Sequence, residues 1–415
     1  MADYRHFAHG RHHWIAKRGQ ESAVLAIVCD DDRQIADAML GLLPPDVPVV
    51  RLDVSHSGYL AAIAAMSRGF FVTASAGRAR GFDPGDPGVP TFGREIYHLN
   101  VYRNLPPEES GVPPDERLAI ERKVRTTVPE LSCSGRLDSW REAYRLACST
   151  LINSTYCGLA LDYDGTLCHE AERHGPLPQT MAFEFERLLR AGCYIGIATG
   201  RGKSVRRSLQ DALSKDLWDR VVIGYYNGAE VGGLADDKCP DDREEVGPEL
   251  KQVADGLCSD PFVIRLASFS LRLKQITLTP ADGVFPGPLW EYVHALLLSS
   301  SYTGAVALRS GHSVDVVAPE TTKLTVIERV AEMAGGGRPV LRIGDRGRWP
   351  GNDFSLLDSA HSLSADEVSP DPKGAWNLAP AGHRGSQATL GYLRKLKLTR
   401  KGLRVASIAK KRGGR

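Results

Sequence analysis

A chain of 415 residues is too long for one ordinary hydrophobic core, so two or three domains are expected. With 42% apolar and 25% charged residues it is not a disordered or fibrous chain, and a net charge of +2 demands no polyanionic partner. The charge is uneven: residues 391–415 hold ten Lys/Arg and no Asp/Glu, which leaves the remainder of the chain net acidic.

The eight cysteines form no C-x-x-C pair, so neither a zinc site nor a thioredoxin-like motif is suggested. Reduced thiols in a cytoplasmic protein are expected, with no signal peptide and no transit peptide. No apolar run approaches the roughly 18 residues of a membrane span.

The chain opens on Arg5-His6-Phe7-Ala8-His9-Gly10-Arg11-His12-His13-Trp14, a tract that either binds metal or simply solvates its histidines. An α/β rhythm follows. Residues 23–29 read as a strand, 34–43 as a helix ended by Pro44-Pro45, 48–54 as a second strand and 58–69 as an Ala-rich helix. Residues 70–74 are a strand or a continuation of that helix. Strand–helix–strand order predicts a parallel sheet. The His9-Gly10 start, this alternation and Pro87-Gly88-Val89-Pro90-Thr91-Phe92-Gly93-Arg94 resemble the second lobe of a sugar isomerase (SIS) domain. His6 stands where that family has Glu, and the phosphate-loop lobe is missing. The resemblance therefore implies a binding or dimerising half-domain, with homo-oligomers or an SIS-lobe partner, rather than isomerase chemistry.

Pro106-Pro107 and Pro113-Pro114 suggest a linker, with a short charged helix at 115–125 and a second helix at 138–152. Then Gly158-Leu159-Ala160-Leu161-Asp162-Tyr163-Asp164-Gly165-Thr166 reads as a buried strand ending in two acids. Residues i and i+2 of a strand face one way, so Asp162 and Asp164 converge on one spot. Such a pair either ends in an Asp-Gly turn with solvated acids or holds a hard divalent cation, best Mg²⁺. Residues 178–191 read as a crossover helix. Cys193-Tyr194-Ile195-Gly196-Ile197-Ala198-Thr199-Gly200-Arg201 is a second strand. It ends in a capping Thr or in an anion cradle.

Later, Thr321-Thr322-Lys323 precedes the helical run 324–333. A lysine in the first turn opposes the helix dipole, which points to a use for Lys323 or to a solvated surface. Residues 339–345 form a third strand ending in Asp345, and Gly351-Asn352-Asp353 follows. Acids at several parallel strand ends meet at the ligand-binding edge of a doubly wound sheet.

The order Asp-x-Asp-Gly-Thr, Thr-Gly-Arg, Lys, Gly-Asp…Asn-Asp resembles the four motifs of the haloacid dehalogenase (HAD) superfamily over 158–365. Tyr226-Asn227-Gly228-Ala229 is similar to the segment that opens a large C2-type cap. That cap marks the subgroup (IIB) of Cof-type sugar phosphatases, sucrose- and trehalose-phosphate phosphatases and phosphomannomutases. About 95 residues separate Val222 from Pro319, too many for a loop. Strands are expected at 261–273 and 275–279, a helix at 289–299 and a hairpin at 306–317, with 236–249 an exposed acidic loop.

The expected fold is α/β. It has a Rossmann-like core with a parallel sheet at 151–222 and 319–390, an α+β cap at 223–318 and a separate N-terminal α/β domain at 1–105. A linker and helix fill 106–150, and a basic tail runs over 391–415. The resemblance implies that Asp162 is the nucleophile and Asp164 the general acid, then base. It implies that Thr199, Gly200 and Lys323 grip phosphate, and that Asp162, Asp164 (through its backbone carbonyl) and Asp345 hold Mg²⁺. Asp353 and Asn352 would stand behind, orienting Lys323 or a metal-bound water.

Six extra residues, 346–351, depart from the family pattern and are expected to bring Arg348 or Trp349 toward the substrate or to alter the metal geometry. Arg265, Arg272, Lys274, Arg309 and His312 are candidate lid contacts. The implied activity is Mg²⁺-dependent hydrolysis of a small phosphorylated metabolite, best a sugar phosphate. The alternatives are a phosphotransferase or mutase, a non-catalytic sugar-phosphate sensor or scaffold, and an RNA-end phosphatase using the basic tail. The tail has few aromatics, and nucleic acid is not the favoured partner.

Overall fold

The computed structural model describes residues 12–85, 111–237, 239–240, 244–299, 302 and 304–406. It divides into two compact units, Met1–Leu99 and Asn100–Arg415. His6, His9-Gly10, the 87–94 segment, Pro106-Pro107 and the basic end 407–415 lie outside the described residues.

The first unit runs α1 (His12–Arg18), β1 (Val24–Cys29), α2 (Arg33–Leu40), β2 (Val49–Val54) and α3 (Gly58–Arg80). β1 and β2 pair in parallel from Val24↔Val49 to Cys29↔Val54, the geometry that a crossover helix enforces. Of the two alternatives for 70–74, the structure adopts the continuation: α3 runs on past Gly69 to Arg80, and no strand forms there. An interior glycine costs a helix only about 1 kcal/mol, which a long flanking run absorbs. The chain leaves at Gly81, whose φ of 72° is the left-handed conformation that ends helices. Against the expectation of no span-length apolar run, α3 is long and apolar enough to cross a membrane by length and composition, although Arg68 divides its apolar residues.

In the second unit α4 (Pro114–Val124), α5 (Val128–Cys133) and α6 (Leu137–Asn153) form a helical layer. Pro114 opens α4, and Thr127 with Glu130 makes a capping box on α5. Ala119, Ile120, Val128, Leu131 and Ala147 pack round Trp376, and Lys123 Nζ donates to the Ala375 carbonyl at 2.6 Å. This stretch is part of the body rather than a free linker.

The central sheet comprises β3 (Gly158–Asp162), β4 (Tyr194–Ala198), β5 (Val221–Tyr225), β6 (Glu230–Gly233), β11 (Val340–Gly347) and β12 (Ser362–Val368). Its order is β12-β11-β3-β4-β5-β6, parallel except for β6. Both faces are covered, which is why β3, β4 and β5 read as unbroken apolar runs. Leu159 and Leu161 face α7 (Gln179–Arg190), while Ala160 faces α12 (Leu324–Met333). A Cβ at Gly196 or Gly224 would run into Val326, so these glycines let α12 sit close on the sheet. The expected parallel α/β core is therefore present. β11 and β12 shift register between Gly344 and Arg346, a bulge that re-aims Asp345.

Residues 391–406 are not a solvated tail. They finish α13 (Gly385–Leu393) and form the hairpin β13 (Leu396–Thr399) and β14 (Gly402–Val405), with Leu396, Leu403 and Val405 buried. Tyr156 and Leu403 exchange backbone hydrogen bonds at 2.8 and 2.9 Å.

Between β6 and α12 lies the lid. Its helices are α9 (Pro248–Ser259), α10 (Pro261–Leu266) and α11 (Pro286–Ser299), and α8 (Lys203–Ala212) precedes it in the body. The lid's antiparallel sheet, in the order β7-β8-β10-β9, is built from β7 (Ala267–Arg272), β8 (Gln275–Pro280), β9 (Val306–Arg309) and β10 (Val314–Val317). Its separate core includes Leu250, Ile276, Leu278, Val293 and Val316. The stretch expected as one strand over 261–273 is a helix and then a strand. Asp260 caps the helix, accepting from the Phe262 and Val263 amides at 2.9 Å each, and Pro261 opens it.

Candidate active site

The carboxyl ends of β3, β4 and β11 meet the start of α12 at one edge of the sheet. Asp162 closes β3 and is buried, with its backbone in register with Ala198 of β4. Lys323 stands at the N-cap position of α12, where Thr322 Oγ1 accepts from the Leu324 amide at 3.3 Å. The lysine side chain turns inward and is fully enclosed, so the solvated alternative is not what the chain adopts. Its Nζ donates at 2.6 Å to Asp162 Oδ1 and at 2.6 Å to Asp353 Oδ1. Burial alone would lower the Lys323 pKa, but the two carboxylates outweigh it and hold the ammonium charged.

Asp353 spends its other oxygen on the backbone, accepting from the Asp345 amide at 2.9 Å and the Arg346 amide at 3.1 Å. It thus anchors both the lysine and the end of β11. Asp345 is buried beside it, with Thr166 Oγ1 donating to its Oδ1 at 3.4 Å. A Cβ on Gly165 would collide with the Asp345 carboxylate, so the Asp-Gly turn closes directly over that acid.

Carboxylate oxygens of Asp162, Asp345 and Asp353 lie within 4.8 Å of one another. Burial first, and then Asp353, push the Asp162 pKa up, and the Asp345 pKa is raised for the same two reasons. One lysine does not neutralise three acids, and with Asp353 already saturated by donors, Asp162 and Asp345 have oxygens to offer. The site therefore fits a hard divalent cation bound by oxygen. Asp353 is the third side chain of this acid triplet; Asp164, which the motifs imply offers a backbone carbonyl, turns its side chain elsewhere.

Asp164 is paired with Arg201, whose Nη1 donates to Oδ1 at 3.2 Å and to the Arg173 carbonyl at 2.6 Å. Burial raises the Asp164 pKa, with Arg201 opposing it. Thr199 is buried, and its Oγ1 accepts from the Arg201 amide at 3.1 Å. Gly200 lies against Asp315 and Asn227 and presents its carbonyl to Gln275 Nε2 of the lid at 3.0 Å. Asn352 holds the lid through its backbone, and its side-chain Oδ1 is buried without a partner among the described residues.

Asp162, Asp164, Gly200, Arg201, Asp345 and Asn352 line a cavity of about 500 Å³ whose far wall is the lid. Ser270 and Arg272 of β7 face it, as do Gln275, Thr277 and Thr279 of β8 and Ser310, His312 and Ser313 of the β9–β10 turn. Of the lid cations expected to reach it, Arg272 and His312 do. Arg265 and Lys274 are exposed, and Arg309 pairs with Glu367 at 3.7 Å. The extra loop does not send Arg348 or Trp349 inward. Trp349 packs edge-on against Trp290 of the lid and Phe354 of the body, because the loop is pinned by Arg309. The residue that enters the cavity is Arg346.

Sequence reading missed Arg201 as the partner of Asp164, the Arg346 cluster, and the buried Asn227–Gln275–Asp315 network (3.0 and 3.3 Å) that ties lid to body. The signal available was the Arg in Thr-Gly-Arg and the Arg after Gly-Asp. The network carries no local signal, since its members lie 48 and 88 residues apart.

No family model matches the chain, and no curated protein matches it. Among solved structures it is similar to a haloacid dehalogenase-like hydrolase from Bacteroides thetaiotaomicron, at 15% identity over 52% of this chain and 90% of that one, with a TM-score of 0.37. It is similar to an IMP-nucleotidase from Plasmodium falciparum at 15% identity over 66% and 77%, with a TM-score of 0.42. The C-terminal domain of the trehalose-6-phosphate phosphatase of C. albicans aligns at 12% identity over 60% and 94%, with a TM-score of 0.41. Each of these TM-scores is below 0.5.

Proposed function

We propose that the chain is a Mg²⁺-dependent phosphatase of the haloacid dehalogenase superfamily, acting on a small phosphorylated metabolite of the sugar-phosphate class. The observation that carries this reading is the buried Asp162 carboxylate at a strand end, held at 2.6 Å by an enclosed lysine and facing a polar cavity. With one Asp162 oxygen engaged by Lys323, the other is left to attack phosphorus in line with the leaving oxygen. The phosphorus–oxygen bond to the leaving group breaks as the aspartyl-phosphate forms. Asp164 delivers the proton that the leaving oxygen needs. It then removes one from the water that attacks the aspartyl-phosphate, which returns the Asp162 carboxylate and releases phosphate.

Burial raises the Asp164 pKa, which suits a proton donor. Lys323 and the Thr199 hydroxyl offer donors to the phosphoryl oxygens. Asp162, Asp345 and the Asp164 carbonyl would hold Mg²⁺, which when bound neutralises charge on the transferred group. Hydroxyls of Ser270, Thr279 and Ser310 on the lid side suit a polyhydroxylated leaving group. Eight free cysteines fit a reducing cytoplasm. We read the first unit as a binding or dimerising module.

The test is phosphate release over sugar, polyol and nucleotide phosphates with Mg²⁺, beside Asp162→Asn. Release by the wild type on at least one substrate and none by the variant is expected. Equal release by the two proteins, or none by the wild type, would sink the reading.

A further inference from the structure

The guanidinium of Arg346 joins the acid site to the seat of the lid. Its Nε lies 3.2 Å from Asp345 Oδ2. Its Nη2 donates to Glu170 Oε1 at 2.7 Å, and its Nη1 to Glu367 Oε1 at 3.2 Å. Both glutamates touch the lid. Glu367 is 3.7 Å from Arg309 of β9. Glu170 lies so close under the β9–β10 turn that a Cβ on Gly311 would collide with its carboxylate. The extra loop completes the seat, since the Arg309 amide donates to the Pro350 carbonyl at 2.8 Å and the Asn352 amide to the Arg309 carbonyl at 3.1 Å.

This cluster is not fully made. Arg346 Nε and Glu367 Oε2 are both buried, and neither has a hydrogen-bond partner among the described residues. One arginine is shared among three carboxylates, one of which belongs to the acid site. A cation taken up by Asp345 would compete for that carboxylate and repel the guanidinium. The arginine would then shift its bonding toward Glu170 and Glu367, the two acids that carry the lid.

We propose that Arg346 is a positioning residue that couples divalent-cation binding at Asp345 to closure of the lid, through Glu367–Arg309 and Glu170–Gly311. The inference rests on the metal site of the phosphatase reading. The linkage is reciprocal, so a closed lid also holds the cation more tightly.

The experiment uses the full chain with MgCl₂ alone. Calorimetry reads Mg²⁺ affinity, and backbone hydrogen exchange over 306–317 reads the lid. In the wild type, Mg²⁺ should slow exchange about tenfold, in the range of ordinary site-to-site coupling. In Glu367→Gln, which keeps the arginine on Asp345 but weakens its hold on the lid, Mg²⁺ should still bind, up to about tenfold more weakly because the closed lid no longer supports it, and should slow exchange less than about twofold. Arg346→Gln should also bind Mg²⁺ and lose the lid response, since it removes a like charge from the cation's side.

The proposal is overturned if both variants bind Mg²⁺ and retain the tenfold slowing, or if the wild type binds Mg²⁺ with no lid response. It is equally overturned if both variants lose Mg²⁺ binding, because the pair would then only support the acids. A chain that shows the coupling but releases no phosphate from any substrate would overturn the phosphatase reading and leave this one standing.

Discussion

The two ends of the cavity are built on different principles. At the body end, Asp162, Lys323 and Asp353 are buried, held at 2.6 Å, and supplied by a strand end, a helix start and the turn after β11. At the lid end the lining is largely neutral hydroxyls and amides on an antiparallel sheet with a core of its own. Charges that are enclosed and paired cannot be exchanged singly, because each leaves an uncompensated partner. Hydroxyls at a lid surface can be exchanged one at a time. The body end therefore suits a fixed reaction and the lid end a tunable choice of substrate.

The sharpest way to break this contrast is Lys323→Met. It leaves Asp162 and Asp353 facing one another without a buried cation. Removal of one partner of a buried ion pair costs about 3–5 kcal/mol. In chelator the variant should melt well below the wild type, and Mg²⁺ should restore part of the loss by returning positive charge to the acids. Phosphate release should fall by roughly a thousandfold or more, because in the proposed mechanism this lysine donates to the phosphoryl group. A variant that turns over within tenfold of the wild type would remove the body end from the chemistry. Melting curves with and without Mg²⁺ read the stability half.

The lid end should respond more gently and in a different constant. Ser270→Ala or Thr279→Val removes one hydroxyl from the cavity wall without stranding a charge. A lost neutral hydrogen bond is worth about 1 kcal/mol, or roughly fivefold in affinity. On the best substrate of the screen, KM should rise by about that factor while kcat stays within about twofold. A drop in kcat with KM unchanged would mean that these hydroxyls act on the transition state, and the division between the two ends would fail.

The contrast also separates what the sequence discloses from what it hides. Asp162, Asp345, Lys323 and Asp353 sit at strand ends or helix starts, where apolar runs stop at a charged residue. Such boundaries are local signals, and the structure brings these four side chains together. The parallel sheet was legible for the same reason, since a strand covered on both faces has to be uniformly apolar. Arg201 with Asp164, and Arg346 with Glu170 and Glu367, are pairings across the fold. The lid contacts of Arg272 and His312, against the exposure of Lys274, depend on strand phase, which short turns shift by one residue. At 70–74 strand and helix both stay open in the sequence, because an interior glycine resembles a helix end. The hairpin at 396–405 was hidden because its basic residues face outward while Leu396, Leu403 and Val405 carry the burial.

A last prediction concerns a buried charge remote from both ends, where turnover should not change at all. Lys123 of α4 is enclosed, with its Nζ on the Ala375 carbonyl at 2.6 Å and 5.3 Å from the Trp376 ring centroid. Burial lowers its pKa to about 8 from the usual 10.5. The folded state therefore disfavours the charged lysine. Below pH 8 both states bind the proton and the folded chain carries the whole cost. Between pH 8 and 10.5 the folded lysine is already neutral while the unfolded one is charged, so this residue's contribution to stability rises with pH. Lys123→Met removes that dependence. Relative to the wild type, the variant should look more stable at pH 7 than at pH 10 by up to ~3 kcal/mol, the size of such a shift. Thermal unfolding of both proteins at the two pH values measures the difference. A gap between variant and wild type that stays constant with pH would mean that the carbonyl and the indole ring already compensate the buried ammonium.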